Sequence, residues 1–121
     1  MIVLLTGGTG SFGSLFAQTA LDRGWTVRVF SRDELKQAEL KETLKGDVRF
    51  LLGDVRDKDR LRWAVRGCDL VVHAAALKRV DACEHDPLEC VQTNVVGTAN
   101  VLAAAVDERI SRGILLSSDK A

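Results

Sequence analysis

The residues most able to do chemistry lie near the start of the chain, in Thr6-Gly7-Gly8-Thr9-Gly10-Ser11-Phe12-Gly13. Two glycine spacings overlap there. Gly8, Gly10 and Gly13 fit G-x-G-x-x-G, while Gly7, Gly10 and Gly13 fit T-G-x-x-G-x-x-G. Both suit the diphosphate of a dinucleotide. Glycine permits a tight turn, lets the backbone approach the phosphates, and allows the next helix to pack close to its strand. The free N–H groups and the positive end of that helix then face the negative charge. The loop follows an apolar run, Ile2 to Leu5, and opens a helical pattern, which is the context that gives the spacing its meaning. A P-loop is excluded, because no Gly-Lys-Ser/Thr follows.

The next chemical group stands after the second apolar run. NAD-binding folds place an acid there for the ribose 2′-hydroxyl. Here the run ends at Phe30 and continues Ser31-Arg32-Asp33, with Lys36 close by. Arg32 and Lys36 suit a 2′-phosphate, with Ser31 as a hydrogen-bond donor, so NADP is favoured over NAD. Asp33 is read as a helix N-cap rather than a ribose ligand. After the third run, Asp54 is placed either to accept from an adenine amino group, with Val55 against the ring, or simply to make a turn. His73 and His85 have no partner at metal spacing and are read as structural. Asp81 to Asp86 is an acid-rich solvated turn, and no metal site is expected. Cys68, Cys83 and Cys90 lack CxxC spacing and are read as reduced thiols. By spacing alone, Asp119-Lys120 is an exposed pair in a loop.

These groups need a scaffold, and the apolar pattern supplies one. Short apolar runs at Ile2–Leu5, Thr26–Phe30, Val48–Leu52, Asp69–Ala74 and Gly113–Ser117 alternate with helical stretches. The helices are expected at Phe12–Asp22, Asp33–Lys45, Asp57–Arg66 and from Asp86-Pro87 to about Glu108. Expected buried positions are Phe12, Leu15, Phe16, Thr19 and Ala20 in the first. The second offers Leu35, Leu40 and Leu44, and the third Leu61, Ala64 and Val65. The last offers Leu88, Val91, Val95, Leu102, Ala105 and Val106. Near-continuous apolar strands with helices between them indicate an α/β, Rossmann-type parallel sheet with helices on both faces and strand order 3-2-1-4-5. The 121 residues make one domain. Lys+Arg and Asp+Glu both number 17, which removes the basic footprint of a nucleic-acid binder. No run reaches the roughly 18 apolar residues of a membrane span, and no signal peptide is recognisable, so a cytoplasmic location is expected.

Taken together, TGGTGSFG, SRDELKQ, GDVRD, HAAALKRV, PLEC with TNVVGT, and SSDKA resemble the inverting UDP-N-acetylglucosamine 4,6-dehydratases. These are extended short-chain dehydrogenase/reductases of the polysaccharide-biosynthesis group. SRDELKQ and HAAALK are the most specific pieces, and the resemblance runs along essentially the whole chain. It implies that Thr9 to Phe12, Ser31 to Lys36, Asp54, Val55 and Ala74 line an NADP site. It implies that Lys78 reaches the nicotinamide ribose and the UDP-sugar substrate, and that Asn94 holds a helix near the active site. Ser118, Asp119 and Lys120 match the catalytic Thr/Ser-Asp-Lys segment, with Lys120 as base at C5 and Asp119 as acid at the C6 hydroxyl.

The family continues into a Tyr-x-x-x-Lys motif, and this chain has no tyrosine. The resemblance therefore implies the N-terminal portion of an incomplete NADP-binding domain, 1–121, inactive alone and part of a homo-oligomer at full length. A fifth strand, Ile114-Leu115-Leu116, left at an open sheet edge is expected to promote self-association. The other readings are a sugar-nucleotide 4-epimerase or reductase of the same superfamily, and a non-catalytic NADP-binding module.

Overall fold

Val3, Leu4 and Leu5 are all fully buried, so the first strand sends apolar side chains to both sides of the sheet that contains it. That two-sided burial fixes a three-layer architecture. The computed structural model describes residues 1–7, 11–74, 96–110 and 113–116, without the side chains of 11, 12 and 113–116. Strands and helices alternate as β1 (Ile2–Thr6), α1 (Ser11–Asp22), β2 (Thr26–Ser31), α2 (Glu34–Thr43), β3 (Val48–Leu52), α3 (Lys58–Val65), β4 (Leu70–His73), α4 (Gly97–Asp107) and β5 (Gly113–Leu116). All pairings are parallel, in the order β3-β2-β1-β4-β5. This is the order expected from the alternating pattern.

The two faces carry separate cores. On one, Val3, Leu5, Val27, Val29 and Val72 meet Ala17, Ala20 and Leu21 of α1 and Leu40 of α2. On the other, Leu4, Phe30 and Val71 meet Leu61, Ala64 and Val65 of α3 and Val101 and Ala104 of α4. Each fully buried Val, Leu or Phe contributes about 1.5–3 kcal/mol of transfer free energy.

The helix ends follow their sequence signals. Asp33 and Asp57 adopt extended backbone and accept from the N–H groups of Lys36 and Arg60, at 3.0 and 3.2 Å. Each thereby satisfies an otherwise orphaned donor of the first turn. After α1, Gly24 takes φ +81°, a left-handed conformation that reverses the chain into β2.

Several expected contacts are not made. Leu15 and Leu35 are each 70% exposed, Thr19 is exposed, and Leu102 and Val106 also face outward. In α1, Ala20 is buried and Phe16 packs against the core as expected, and Gly13, Ala17 and Leu21 complete the buried face, its glycine and alanines letting the helix lie close to the sheet. In α2, Leu40 and the following Leu44 are buried as expected, joined by Gln37; in α4, Ala105 is buried as expected, with Gly97, Asn100, Val101 and Ala104. The expected start of the last helix at Asp86-Pro87, with Leu88, Val91 and Val95, lies outside the described residues, as do His85, Cys83 and Cys90.

Candidate dinucleotide site

The C-terminal ends of β1, β2, β3 and β4 lie side by side, where ligands of open parallel sheets sit. Thr6, the last residue of β1, is in register with Phe30 on one side and His73 on the other. Two further backbone bonds lock these ends together. The Gly7 N–H donates to the Phe30 carbonyl at 3.1 Å, and the Ala74 N–H donates to the Thr6 carbonyl at 3.0 Å. Gly7 turns away with φ +72°, which a side chain would oppose. Gly13, on the first turn of α1, is buried. The loop between them thus starts from a fixed strand end and enters a helix held close to the sheet. Thr9 and Gly10 lie outside the described residues, and so do the side chains of Ser11 and Phe12.

The end of β2 carries the residues nominated for a 2′-phosphate. Ser31 is held by Gln37, whose side-chain amide donates to the Ser31 hydroxyl at 2.8 Å and to the Leu51 carbonyl at 3.0 Å. The hydroxyl accepts in this bond and keeps its own proton to donate. Arg32 is half-exposed, and Lys36 is exposed one turn into α2. Asp33, which follows Arg32 in the sequence, is committed to capping α2.

At the end of β3, Asp54 is held from two sides. Arg56 Nε lies 3.1 and 3.0 Å from its two carboxylate oxygens, and Arg56 Nη2 lies 2.7 Å from Oδ2. The Arg56 backbone N–H also donates to Oδ1 at 2.9 Å, closing a tight turn. Arg32 Nη1 approaches the same Oδ2 at 3.6 Å. The Arg56 hydrogen bond, foremost among several causes, holds the Asp54 carboxyl below the usual carboxylate range. Val55 is buried with Phe30 and Leu61, and its carbonyl accepts from the Asn100 side chain at 3.0 Å. Gly97 lies against it: a Cβ there would stand 2.6 Å from Val55 Cγ2. Ala74 is buried at the end of β4.

His73 has the structural role expected of it. It is fully buried, with Nδ1 2.6 Å from the Thr6 hydroxyl and Nε2 3.2 Å from the Thr98 hydroxyl. Burial pushes its pKa from 6.5 down to about 4, so the ring is neutral at pH 7. The imidazole ties β1, β4 and α4 together beneath the site.

Sequence reasoning missed Gln37, Arg56, Thr98 and Asn100. For Gln37 a signal existed, because positions 37, 40 and 44 share the helical spacing of one face. Lys78, Asn94, Ser118, Asp119 and Lys120 lie outside the described residues. Among the described residues, no group of His, Cys, Asp or Glu could hold a metal ion. No described helix is long and apolar enough to cross a membrane. A groove of about 380 Å³ is lined by Arg28, Arg49, Leu51, Trp63 and Arg66, and none of the nominated residues takes part in it.

Residues 3–121 match the family model described as polysaccharide biosynthesis protein. The chain is 43% identical over 122 residues to a UDP-N-acetylglucosamine 4,6-dehydratase (inverting) of Campylobacter jejuni, covering 98% of this chain and 36% of that protein. It is equally 43% identical, over 125 residues, to a UDP-glucose 4-epimerase of Rickettsia rickettsii, covering 98% of this chain and 37% of that one. A solved dTDP-glucose 4,6-dehydratase of Streptomyces venezuelae with NAD bound superposes with a TM-score of 0.79 at 31% identity, covering 93% of this chain and 38% of that one. The chain spans little more than a third of the length of these relatives.

Proposed function

Because this chain belongs to the polysaccharide biosynthesis protein family, we propose that it forms the NADP-binding part of a C5-inverting UDP-N-acetylglucosamine 4,6-dehydratase. The observation that carries the cofactor choice is at the end of β2. Asp33 spends its carboxylate on the α2 cap, while Arg32 and Lys36 stand nearby on exposed positions. A site for the ribose 2′-hydroxyl needs a carboxylate that can accept there. A site for a 2′-phosphate needs cations, and this strand end presents cations.

Gly7, Thr9, Gly10, Ser11, Phe12 and Gly13 would cradle the diphosphate, and Ser31, Arg32 and Lys36 the 2′-phosphate. Asp54 would accept from the adenine amino group, beside Val55, with Ala74 and Lys78 toward the nicotinamide ribose. When bound, NADP supplies the hydride acceptor and donor of an internal redox elimination at C4 and C6 of the sugar. Lys120 would remove the C5 proton, Asp119 would protonate the departing C6 hydroxyl, and Ser118 would contribute its hydroxyl beside them. A lysine that acts as a base near neutral pH needs burial or a neighbouring cation to release its proton. Lys78 would also touch the UDP-sugar.

Calorimetric titration with NADP⁺ and NAD⁺ side by side tests the cofactor reading. The expected result is tighter NADP⁺ binding. Arg32→Ala should weaken NADP⁺ about ten- to a hundredfold, the loss of a charge-assisted hydrogen bond, and leave NAD⁺ nearly unchanged. Equal affinities in the unaltered chain overturn it.

The epimerase relative matches at the same identity as the dehydratase, and this favours a second reading, a UDP-sugar 4-epimerase. Asp119-Lys120 separates the two, since an epimerase has no need of a lysine base at C5. Homo-oligomerisation and a cytoplasmic location belong to the same proposal.

A further inference from the structure

Gln37 is a polar residue on the inner side of α2, only 5% exposed. Its amide nitrogen reaches the ends of two strands. It lies 2.8 Å from the Ser31 hydroxyl oxygen, 3.0 Å from the Leu51 carbonyl and 3.4 Å from the Ser31 carbonyl. Carbonyl oxygens only accept, so the end of the amide that meets them must be the NH2. Its hydrogens go to the two nearer oxygens. The Ser31 hydroxyl therefore accepts from Gln37, and its own proton points elsewhere. Among the described residues nothing accepts that proton. Ser31 is half-buried at the end of β2, and the Gly53 N–H holds its carbonyl at 2.9 Å. The hydroxyl is thus fixed in place, with its proton unspent.

We propose that Gln37 is a specificity-determining positioning residue: it fixes the Ser31 hydroxyl as a donor for the 2′-phosphate of NADP. This rests on the reading above that Ser31 meets that phosphate. A dianionic phosphate only accepts, so a hydroxyl whose proton is kept outward matches it. The 2′-hydroxyl of NAD⁺ both donates and accepts, and a donor answers only half of that need. Hydrogen bonds to a charged acceptor are also roughly twice as strong as neutral ones. Accepting from Gln37 polarises the Ser31 O–H and makes it a better donor. Without the amide, the proton can turn inward to the space the NH2 had filled, and the phosphate must turn it back.

The ratio of NADP⁺ to NAD⁺ affinity is the readout, because a general loosening of α2 weakens both ligands and cancels. Calorimetry gives it for the unaltered chain, Ser31→Ala, Gln37→Met, Gln37→Glu and the double variant Ser31→Ala/Gln37→Met. Ser31→Ala should lower the ratio about tenfold, the difference between a charge-assisted and a neutral hydrogen bond. Gln37→Met should lower it about three- to tenfold, and Ser31→Ala should then cost less in that background than in the unaltered chain. Gln37→Glu keeps a polar group of the same size, which keeps the test alive if the methionine variant does not fold. Its carboxylate accepts the Ser31 proton, and even its acid form can donate to only one of the two oxygens. It should lower the ratio at least as far as Gln37→Met. If Gln37 merely seats α2, the ratio stays fixed in both variants and Ser31→Ala costs the same in either background, which overturns this inference alone. A ratio unmoved by Ser31→Ala overturns it as well. An unaltered chain without NADP⁺ preference removes the cofactor reading first, and this inference with it.

Discussion

Between pH 6.5 and 4 the folded state is expected to lose about 3 kcal/mol through His73. The direction follows from where the proton goes. Above pH 6.5 the ring is neutral whether the chain is folded or not, and His73 adds no pH dependence. Below 6.5 the unfolded chain takes up a proton that the buried ring refuses until about pH 4, so unfolding gains. The loss is complete below that value. Asp54 acts in a different window: its contribution is present above its ordinary 3.8 and is lost only as the pH falls further. Urea unfolding at pH 7, 5.5 and 4, compared with His73→Gln, isolates the effect. The glutamine keeps polar atoms for Thr6 and Thr98 but does not titrate. Parallel stability profiles for the two proteins would sink the assignment. At neutral pH a neutral imidazole also leaves no positive charge under the strand ends, so the cations that meet a ligand are those at the rim.

Gly53→Ala should be among the costliest single substitutions, at about 1–3 kcal/mol. A Cβ at position 53 would stand 2.6 Å from Phe30 Cε2 and 2.9 Å from Arg60 Cγ. The arginine stem can bend away, but the Phe30 ring cannot. It is 1% exposed and packed with Leu4, Leu61 and Val71. Its own carbonyl accepts from Gly7, so a shift of β2 is felt at the glycine loop, and a shift of position 53 moves Asp54. The variant should therefore lose both urea resistance and dinucleotide affinity. Phe30→Leu in the same chain makes room for the methyl group. A double-mutant cycle should show coupling between the two positions. An unchanged unfolding midpoint for Gly53→Ala would contradict the close packing of this turn.

What the sequence made legible was local. The strands were readable because each is a short apolar run, and the helix starts because Asp33 and Asp57 are strong caps. The buried faces were read less well. Leu35 is apolar but sits on the outer side of α2, while Gln37, a polar residue, occupies the inner side and is satisfied by Ser31 and Leu51. Hydrophobicity marks the first as buried and the second as exposed, and hydrogen bonding reverses both. Leu15 misleads in the same way, because α1 meets the sheet through glycine and alanines. In the site, Arg32 and Asp54 were each nominated from their neighbours in sequence. Their approach to one another joins the ends of two strands and cannot be read from spacing. Arg56 escaped notice because its hold on Asp54 depends on the fold of the turn that brings the two side chains together.

The contact between Gly97 and Val55 also bears on how this chain can change over generations. A Cβ at position 97 has no space while valine holds position 55, and the Val55 carbonyl is bound to Asn100 on the same helix turn. Position 97 cannot enlarge alone. A larger residue at 97 becomes acceptable only in a lineage that has already reduced position 55. The order of change is thus constrained, and it ties the turn after β3 to the first turn of α4.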